Sequence, residues 1–108
     1  MGVTVRFRDW LPGGAAGPAS DVELPARRAT LRSLIERRVL RELETRALLK
    51  AAPPQDGKRA VAAAWAAFSS GKLLVLTATA QLQDLDAWIE MQPGDELTFL
   101  QLRPLVSG

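Results

Sequence analysis

Apolar and polar residues alternate near the start of the chain. In the segment VTVRFRDW, residues 3–10, every second side chain from Val3 to Phe7 is apolar. Such alternation is typical of a half-buried β-strand and predicts a strand with one face in the core. The segment LPGGAAGPAS, residues 11–20, is rich in glycine and proline and predicts a loop. DVELP, residues 21–25, then predicts a second short strand that returns as the other arm of a hairpin.

A helical repeat follows Thr30. This residue is a favourable N-cap for a helix that begins at Leu31. Apolar residues recur at every fourth position, and they are Leu31, Ile35, Val39, Leu43 and Ala47. Because a helical turn takes about 3.6 residues, this row winds around the helix. We expect the first half, helped by Leu34, to pack on a sheet and the second half to face another element. Pro53-Pro54 is predicted to end the helix.

A second helix is predicted over KRAVAAAWAAFSS, residues 58–70. Val61, Trp65 and Phe68 lie at helical spacing, and the alanines favour helix and allow close approach. Gly71 suits the position just after the helix. We expect this helix to stack on the far end of the first, with Trp65 and Phe68 in the helix contact rather than on a docking surface.

The remaining third of the chain is predicted to be extended. KLLVLTATAQL, residues 72–82, is interpreted as one strand, with threonines on one face. The residues predicted to share the other face are Leu74, Leu76, Ala78, Ala80 and Leu82. A short extended piece is predicted at residues 87–89, followed by a turn, and the last strand at residues 97–103.

This order of elements predicts an α+β roll with its helices on one face of the sheet. The first and last strands are both apolar enough to be central, so we expect them to lie side by side. Parallel neighbours need a long crossover connection, and the two helices supply it.

The composition narrows the chemistry. The chain has 108 residues, 47% hydrophobic and 24% charged, which is typical of one globular domain. It contains no cysteine and no histidine, which excludes thiol catalysis, disulfides, and metal sites and general bases built on those residues. No cofactor is expected. The first ten residues do not resemble a signal peptide and no segment is apolar enough to span a bilayer, so a cytoplasmic location without membrane contact is expected.

Charged residues are spread along the chain, and the net charge is only +2. The one basic concentration comprises Arg27, Arg28, Arg32, Arg37, Arg38, Arg41 and Arg46. Glutamates interrupt it at helical spacing, as in Glu42–Arg46, so we expect a solvated helix surface. A nucleic-acid patch is the alternative, but interleaved aromatic residues and a recognised motif are missing. The carboxylates at Asp84, Asp86, Glu90, Asp95 and Glu96 are interpreted as solvated, with a weak cation site as the alternative.

The C-terminal third resembles a known family. GKLLVLTATAQL, MQPGDELTFLQLR and the ending PLVSG look like the small sulfur-carrier subunit of molybdopterin synthase and its relatives. ELTFLQLR is also similar to the last strand of ubiquitin. The resemblance implies a single β-grasp (ubiquitin-like) domain over residues 1–108, with a mixed four- to five-stranded sheet and a long helix packed across it. Residues 45–70 would be a helical insertion, and 104–108 a tail.

The resemblance implies chemistry at the tail. In this family an adenylating enzyme activates the terminal glycine carboxylate with ATP, which assigns that role to Gly108, preceded by the small Ser107. Glycine suits a narrow channel because it has no side chain and adopts unusual backbone angles. The outcome is sulfur transfer through a thiocarboxylate or conjugation to a target protein. Further implied partners are a conjugating enzyme, a peptidase or a sulfur-accepting synthase subunit. The family tail usually ends Gly-Gly, whereas this one ends Ser-Gly.

A partner surface is expected on the last strand and the tail. If alternation holds, Leu100 and Leu102 lie opposite the face of Leu97 and Phe99 and form an apolar patch, unless the helices cover them. The remaining residues assigned to partner binding are Arg103, Leu105 and Val106. Trp10 and Trp88 fit either the core or a docking surface. The rival hypothesis is a β-grasp interaction subunit that docks through its sheet face without tail chemistry.

Overall fold

The computed structural model describes residues 2–10, 16–50 and 57–101. The elements in chain order are β1 (Val3–Trp10), β2 (Ala16–Leu24), β3 (Arg28–Thr30), α1 (Leu31–Lys50), α2 (Gly57–Ser69), β4 (Leu73–Leu76), β5 (Gln81–Leu82), β6 (Trp88–Glu90) and β7 (Glu96–Gln101). The predicted α+β class is confirmed: a mixed five-stranded sheet packs with two helices. Neither helix, over the residues described, is both long and apolar enough to cross a membrane.

The sheet has the strand order β2-β1-β7-β4-β5, and β3 and β6 form a separate two-stranded ladder. The first and last strands pair side by side and parallel, with Arg6 opposite Glu96 and Trp10 opposite Leu100. The predicted central pairing is therefore confirmed. Because parallel neighbours cannot be joined by a tight turn, the chain between them crosses over through the helices.

The hairpin of β1 and β2 is longer than predicted. The two strands pair antiparallel, with Val3 opposite Leu24 and Phe7 opposite Ser20. The alternation in β1 is confirmed, since Val3, Val5 and Phe7 are buried while Thr4 and Arg6 between them are exposed. The loop prediction for residues 16–20 is wrong, because β2 already begins at Ala16. Pairing with β1 overrides the local glycine and proline signal there, and β2 lies at a sheet edge, where proline is tolerated.

The start of α1 agrees with the prediction. The Ser33 backbone N–H donates to Thr30 Oγ1 at 3.2 Å, which satisfies one of the free amides of the first turn. Leu31, Ile35 and Val39 are buried in the core, and Leu43 is half-buried against it. The apolar row therefore anchors the first half of the helix.

The second helix ends at its predicted glycine. Gly71 has a φ of +79°, the left-handed conformation that glycine adopts readily. The Lys72 N–H donates to Ala67 O at 2.8 Å and the Gly71 N–H donates to Phe68 O at 3.1 Å. These two bonds form a Schellman motif, which satisfies the last carbonyls of α2. Phe68 and Trp65 are half-buried against the core, as predicted.

The strand predicted over residues 72–82 is wrong in extent and in facing. It is a hairpin of β4 and β5 around a turn, in which the Thr77 N–H donates to Ala80 O at 2.8 Å and the Ala80 N–H donates to Thr77 Oγ1 at 3.1 Å. The residues predicted to share one face do not do so: Leu82 pairs with buried Val75 and packs against the core, whereas Leu74 and Leu76 alternate with buried Leu73 and Val75. The run is apolar on both faces, so pairing with β7 decides which side enters the core.

The last two extended segments shift by one residue from the prediction. The short piece predicted at residues 87–89 is β6, which pairs with β3, a strand that the sequence did not predict. The strand predicted over 97–103 is β7, described from Glu96 to Gln101. Positions 102 and 103 lie outside the described residues.

Candidate functional site

The two faces of the five-stranded sheet differ in what covers them. On the inner face, Phe7, Val75 and Phe99 belong to one core cluster with residues of both helices. The Phe7 and Phe99 rings meet edge to face, with centroids 5.1 Å apart. Side chains in a strand point alternately to opposite faces, so the residues between these form the outer face. The helices therefore lie on the inner face.

Four apolar residues occupy one end of the outer face. Trp10 lies opposite Leu100 across the β1–β7 pair, and Leu74 lies opposite Leu100 across the β4–β7 pair. Leu76 is the next outward residue of β4. All four are half-buried, and none belongs to the core cluster or packs against it. We call Trp10, Leu74, Leu76 and Leu100 the outer apolar patch. Three adjacent strands give it a width of about 10 Å.

Ion pairs occupy the other end of the outer face. Arg8 Nε donates to the Glu96 carboxylate, and Arg6 Nε donates to Asp21 Oδ1 at 3.4 Å. Each pair joins neighbouring strands. Exposed ion pairs contribute at most about 1 kcal/mol because water screens them. The two ion pairs therefore add little to the stability of the sheet. Their main consequence is a charged border beside the outer apolar patch.

A buried arginine supports the patch from the inner face. Arg38 is only 8% exposed, its Nε donates to Asp9 Oδ1 at 2.9 Å, and its Nη1 lies 3.6 Å from Glu42 Oε2. Its guanidinium lies 5.2 Å from the centre of the Phe99 ring. Asp9 and Phe99 immediately precede Trp10 and Leu100 in their strands, so Arg38 ties β1 and β7 to α1 where the patch lies.

The prediction that Arg38 belongs to a solvated helix surface is wrong. The signal that could have corrected it lies in β1: the alternation that buries Val5 and Phe7 also turns Asp9 inward. A carboxylate on a buried face requires a cation. Of the other arginines in that concentration, Arg32 bonds Asp86 at 3.2 Å and stacks 4.9 Å from the Trp65 ring.

The residues predicted to carry the function are described only in part. Leu100 lies on β7 in the outer apolar patch, on the face opposite Leu97 and Phe99, as alternation predicts. No described helix residue packs over it, because the helices lie on the other face. The other predicted positions lie outside the described residues: Leu102, Arg103, Leu105, Val106, Ser107 and Gly108.

The carboxylates considered for a cation site have separate local roles. Asp84 Oδ1 accepts the Asp86 N–H at 2.9 Å, and Asp95 Oδ2 accepts the Gln92 N–H at 2.8 Å. Glu96 pairs with Arg8. Over the described parts of the chain, no three acidic residues come together as metal ligands. The interpretation as local turn and surface groups is the better supported one.

Comparison of the chain with models of known protein families, with curated proteins and with solved structures gives no match. What the chain does must therefore be inferred from its own residues and geometry. The informative features are the outer apolar patch and the central position of β7 beside β1.

Proposed function

We propose that the chain is a β-grasp carrier or modifier of the ubiquitin-like type, whose terminal glycine carboxylate is activated by an adenylating enzyme. The observation that carries the proposal is the parallel β1–β7 pair at the centre of the sheet. A hairpin, a helical crossover and a last strand beside the first is the topology that such carriers use. In this topology the segment that precedes the tail is a central strand of the sheet.

The chemistry proposed for Gly108 needs no catalytic residue from this chain. A carboxylate oxygen of Gly108 attacks the α-phosphorus of ATP, and pyrophosphate leaves. The acyl-adenylate carbonyl is then attacked by a sulfur nucleophile, and AMP leaves. A sulfide donor gives a thiocarboxylate for a sulfur-accepting synthase subunit. A cysteine thiol gives a thioester, which a target amine can open to form an amide through a conjugating enzyme.

The outer apolar patch is the proposed docking surface for the activating enzyme. Leu100 lies one residue before Gln101, the last described residue of β7, so an enzyme seated on the patch is beside the segment that leads to the tail. Its half-buried apolar side chains adjoin the ion-paired end of the outer face. Apolar patches of this kind, bordered by charge, are typical of protein interaction sites.

The proposal is tested by blocking the carboxylate. One alanine appended after Gly108 should abolish ATP–pyrophosphate exchange by the purified adenylating enzyme of the source cell, since the reactive group is displaced. The matched control is Ser107→Ala, which keeps a small residue and should retain exchange. The intact mass of the protein from its source should also correspond to a chain that ends at Gly108. Undiminished exchange with the appended chain would refute the proposal.

A second candidate function is a β-grasp subunit that docks a partner through its sheet without tail chemistry. The outer apolar patch favours it, because the patch is complete within β1, β4 and β7. Leu100→Arg should weaken partner binding under either function, whereas the appended alanine should matter only for the carrier. Intact mass after incubation with ATP and the enzyme then separates the two carrier outcomes: replacement of oxygen by sulfur indicates sulfur transfer, and a covalent adduct with a protein indicates conjugation.

A further inference from the structure

The edge of the sheet formed by β2 offers a second binding surface, away from the tail. β2 is the outermost strand of the five-stranded order, and β1 is the strand it pairs with. No other described strand bonds to it. An edge strand presents a row of backbone N–H and C=O groups that another extended chain can use.

The backbone bonds of β1 establish which groups of β2 are free. The Arg6 N–H donates to Asp95 O at 2.8 Å and Thr4 O accepts the Gly94 N–H at 2.9 Å, so these residues face β7 and its turn. Val5 therefore faces β2, and its antiparallel partner Val22 faces back. In an antiparallel ladder the bonded pairs alternate with non-bonded ones. The N–H and C=O groups of Asp21 and Glu23 consequently point out of the sheet edge.

A groove runs beside this edge on the helical side. It has a volume of about 620 Å³, and its lining includes Val22, Leu24, Arg37, Leu40 and Trp88. Among the described residues, Leu40 and Trp88 are the most exposed large apolar side chains, at 45% and 63% exposure. Groove and edge together can take a strand that hydrogen-bonds to β2 and turns every second side chain into the groove.

The acidic side chains of β2 indicate which kind of strand can bind at this edge. The side chains of Asp21 and Glu23 are exposed on the outer face, opposite in direction to buried Val22. On the other side of β2, β1 already shows the matching pattern, with Val5 beside Val22 and Arg6 bonded to Asp21. A second copy joined antiparallel through β2 about Val22 would set Asp21 against Glu23 of the other copy, which is repulsive.

We propose that the β2 edge binds an extended segment of a partner protein in which apolar residues alternate with arginine or lysine. The apolar side chains enter the groove beside Leu40 and Trp88. The basic side chains lie along Asp21 and Glu23, and the backbone extends the sheet by one strand. This site is independent of the tail chemistry proposed above, because it involves neither β7 nor the residues that follow it.

The probe is a short, end-blocked synthetic peptide in which valine alternates with arginine. In the free protein, the amides of Asp21 and Glu23 should exchange with solvent rapidly and those of Val22 and Leu24 slowly, measured by NMR on the full chain. Adding the peptide should slow exchange at Asp21 and Glu23. A peptide with glutamate in place of arginine should bind at least about fivefold more weakly.

Backbone methylation of the peptide provides a test that leaves the protein intact. Two peptides carry N-methyl groups, one on the arginine amides and the other on the valine amides. Because only one set of amides can face β2, one peptide should lose binding by more than about tenfold and the other should retain it. In an antiparallel strand the arginine amides face β2. Equal binding of both methylated peptides would overturn the proposal.

Glu23→Lys tests the charge from the protein side. It should weaken the arginine peptide about two- to fivefold and improve the glutamate peptide. Asp84→Lys is the matched control, since it changes the net charge equally at a position outside the groove lining. Slow exchange at Asp21 and Glu23 in the free protein would contradict the proposal, and sedimentation would then assign the occupant: a dimer indicates a second copy, and a monomer indicates another segment of this chain.

Discussion

The two faces of the sheet use consecutive residues of the same strands for different purposes. In β7, Phe99 is fully buried between the helices and the sheet, while the next residue, Leu100, is half-buried on the open side. In β1, Asp9 reaches inward to Arg38, while Trp10 lies on the outer face. The inner face is closed by the chain's own helices. The outer face retains apolar residues that do not pack against the core cluster, which is why we propose them as a docking surface.

The largest expected effect on stability comes from truncating a core side chain on the inner face. Phe99→Ala removes a ring that contacts Phe7 and lies beneath Arg38, and should lower the free energy of unfolding by about 3–5 kcal/mol in a urea titration. Leu100→Ala, one residue away, should cost less than about 1 kcal/mol. Comparable losses for the two variants would mean that the outer face is also part of the core.

An intermediate effect is expected at the buried arginine. Asp9→Ala leaves the buried Arg38 guanidinium with the Glu42 carboxylate at 3.6 Å as its ion-pair partner, and should lower the free energy of unfolding by about 1–3 kcal/mol. The loss is smaller than for a fully buried pair because the Asp9 side chain is 31% exposed.

The matched control for that pair is the double variant Asp9→Leu with Arg38→Met. It removes both charges and keeps apolar volume, so thermal or urea unfolding should show most of the stability restored. If the double variant is less stable than Asp9→Ala, the loss in the single variant does not come mainly from leaving the Arg38 charge buried without its partner, and the ion pair itself stabilises the fold.

The smallest effect is expected on the charged end of the outer face. Arg6→Gln removes an exposed ion pair with Asp21 and should change the free energy of unfolding by less than about 0.5 kcal/mol. The same measurement at high salt should reduce the difference further, since salt screens exposed charges. A larger, salt-independent loss would indicate that the outer face contributes to the fold as the inner face does.

Elements with a local physical cause were predictable. The cap at Thr30, the buried row from Leu31 to Val39 and the glycine that ends α2 all depend on residues within a few positions of one another. The alternation of β1 was equally clear, because its polar and apolar positions are strictly separated up to Phe7.

Elements that depend on distant pairing were harder to predict. KLLVL is apolar at every position but the first, so periodicity alone could not decide that Leu73 and Val75 face inward; their pairing with β7 decides it. β3 has three residues and exists through its pairing with β6. The outer apolar patch follows from the same registers, since Trp10, Leu74 and Leu100 are far apart in the chain and adjacent in the sheet.

By itself, the sequence determined where α1 begins and where α2 lies, that the class is α+β, and that the first and last strands are both fit for the centre of the sheet. The end predicted for the first helix at Pro53-Pro54 lies outside the described residues. Only the tertiary structure decided which side of β4 is buried, how far β2 extends, and that Arg38 lies inside rather than in solvent. The physical reason is how far apart in the sequence the interacting residues lie. Caps and helical rows are stabilised by neighbours a few residues away, whereas strand facing and the burial of a charge depend on partners that the fold brings from elsewhere in the chain.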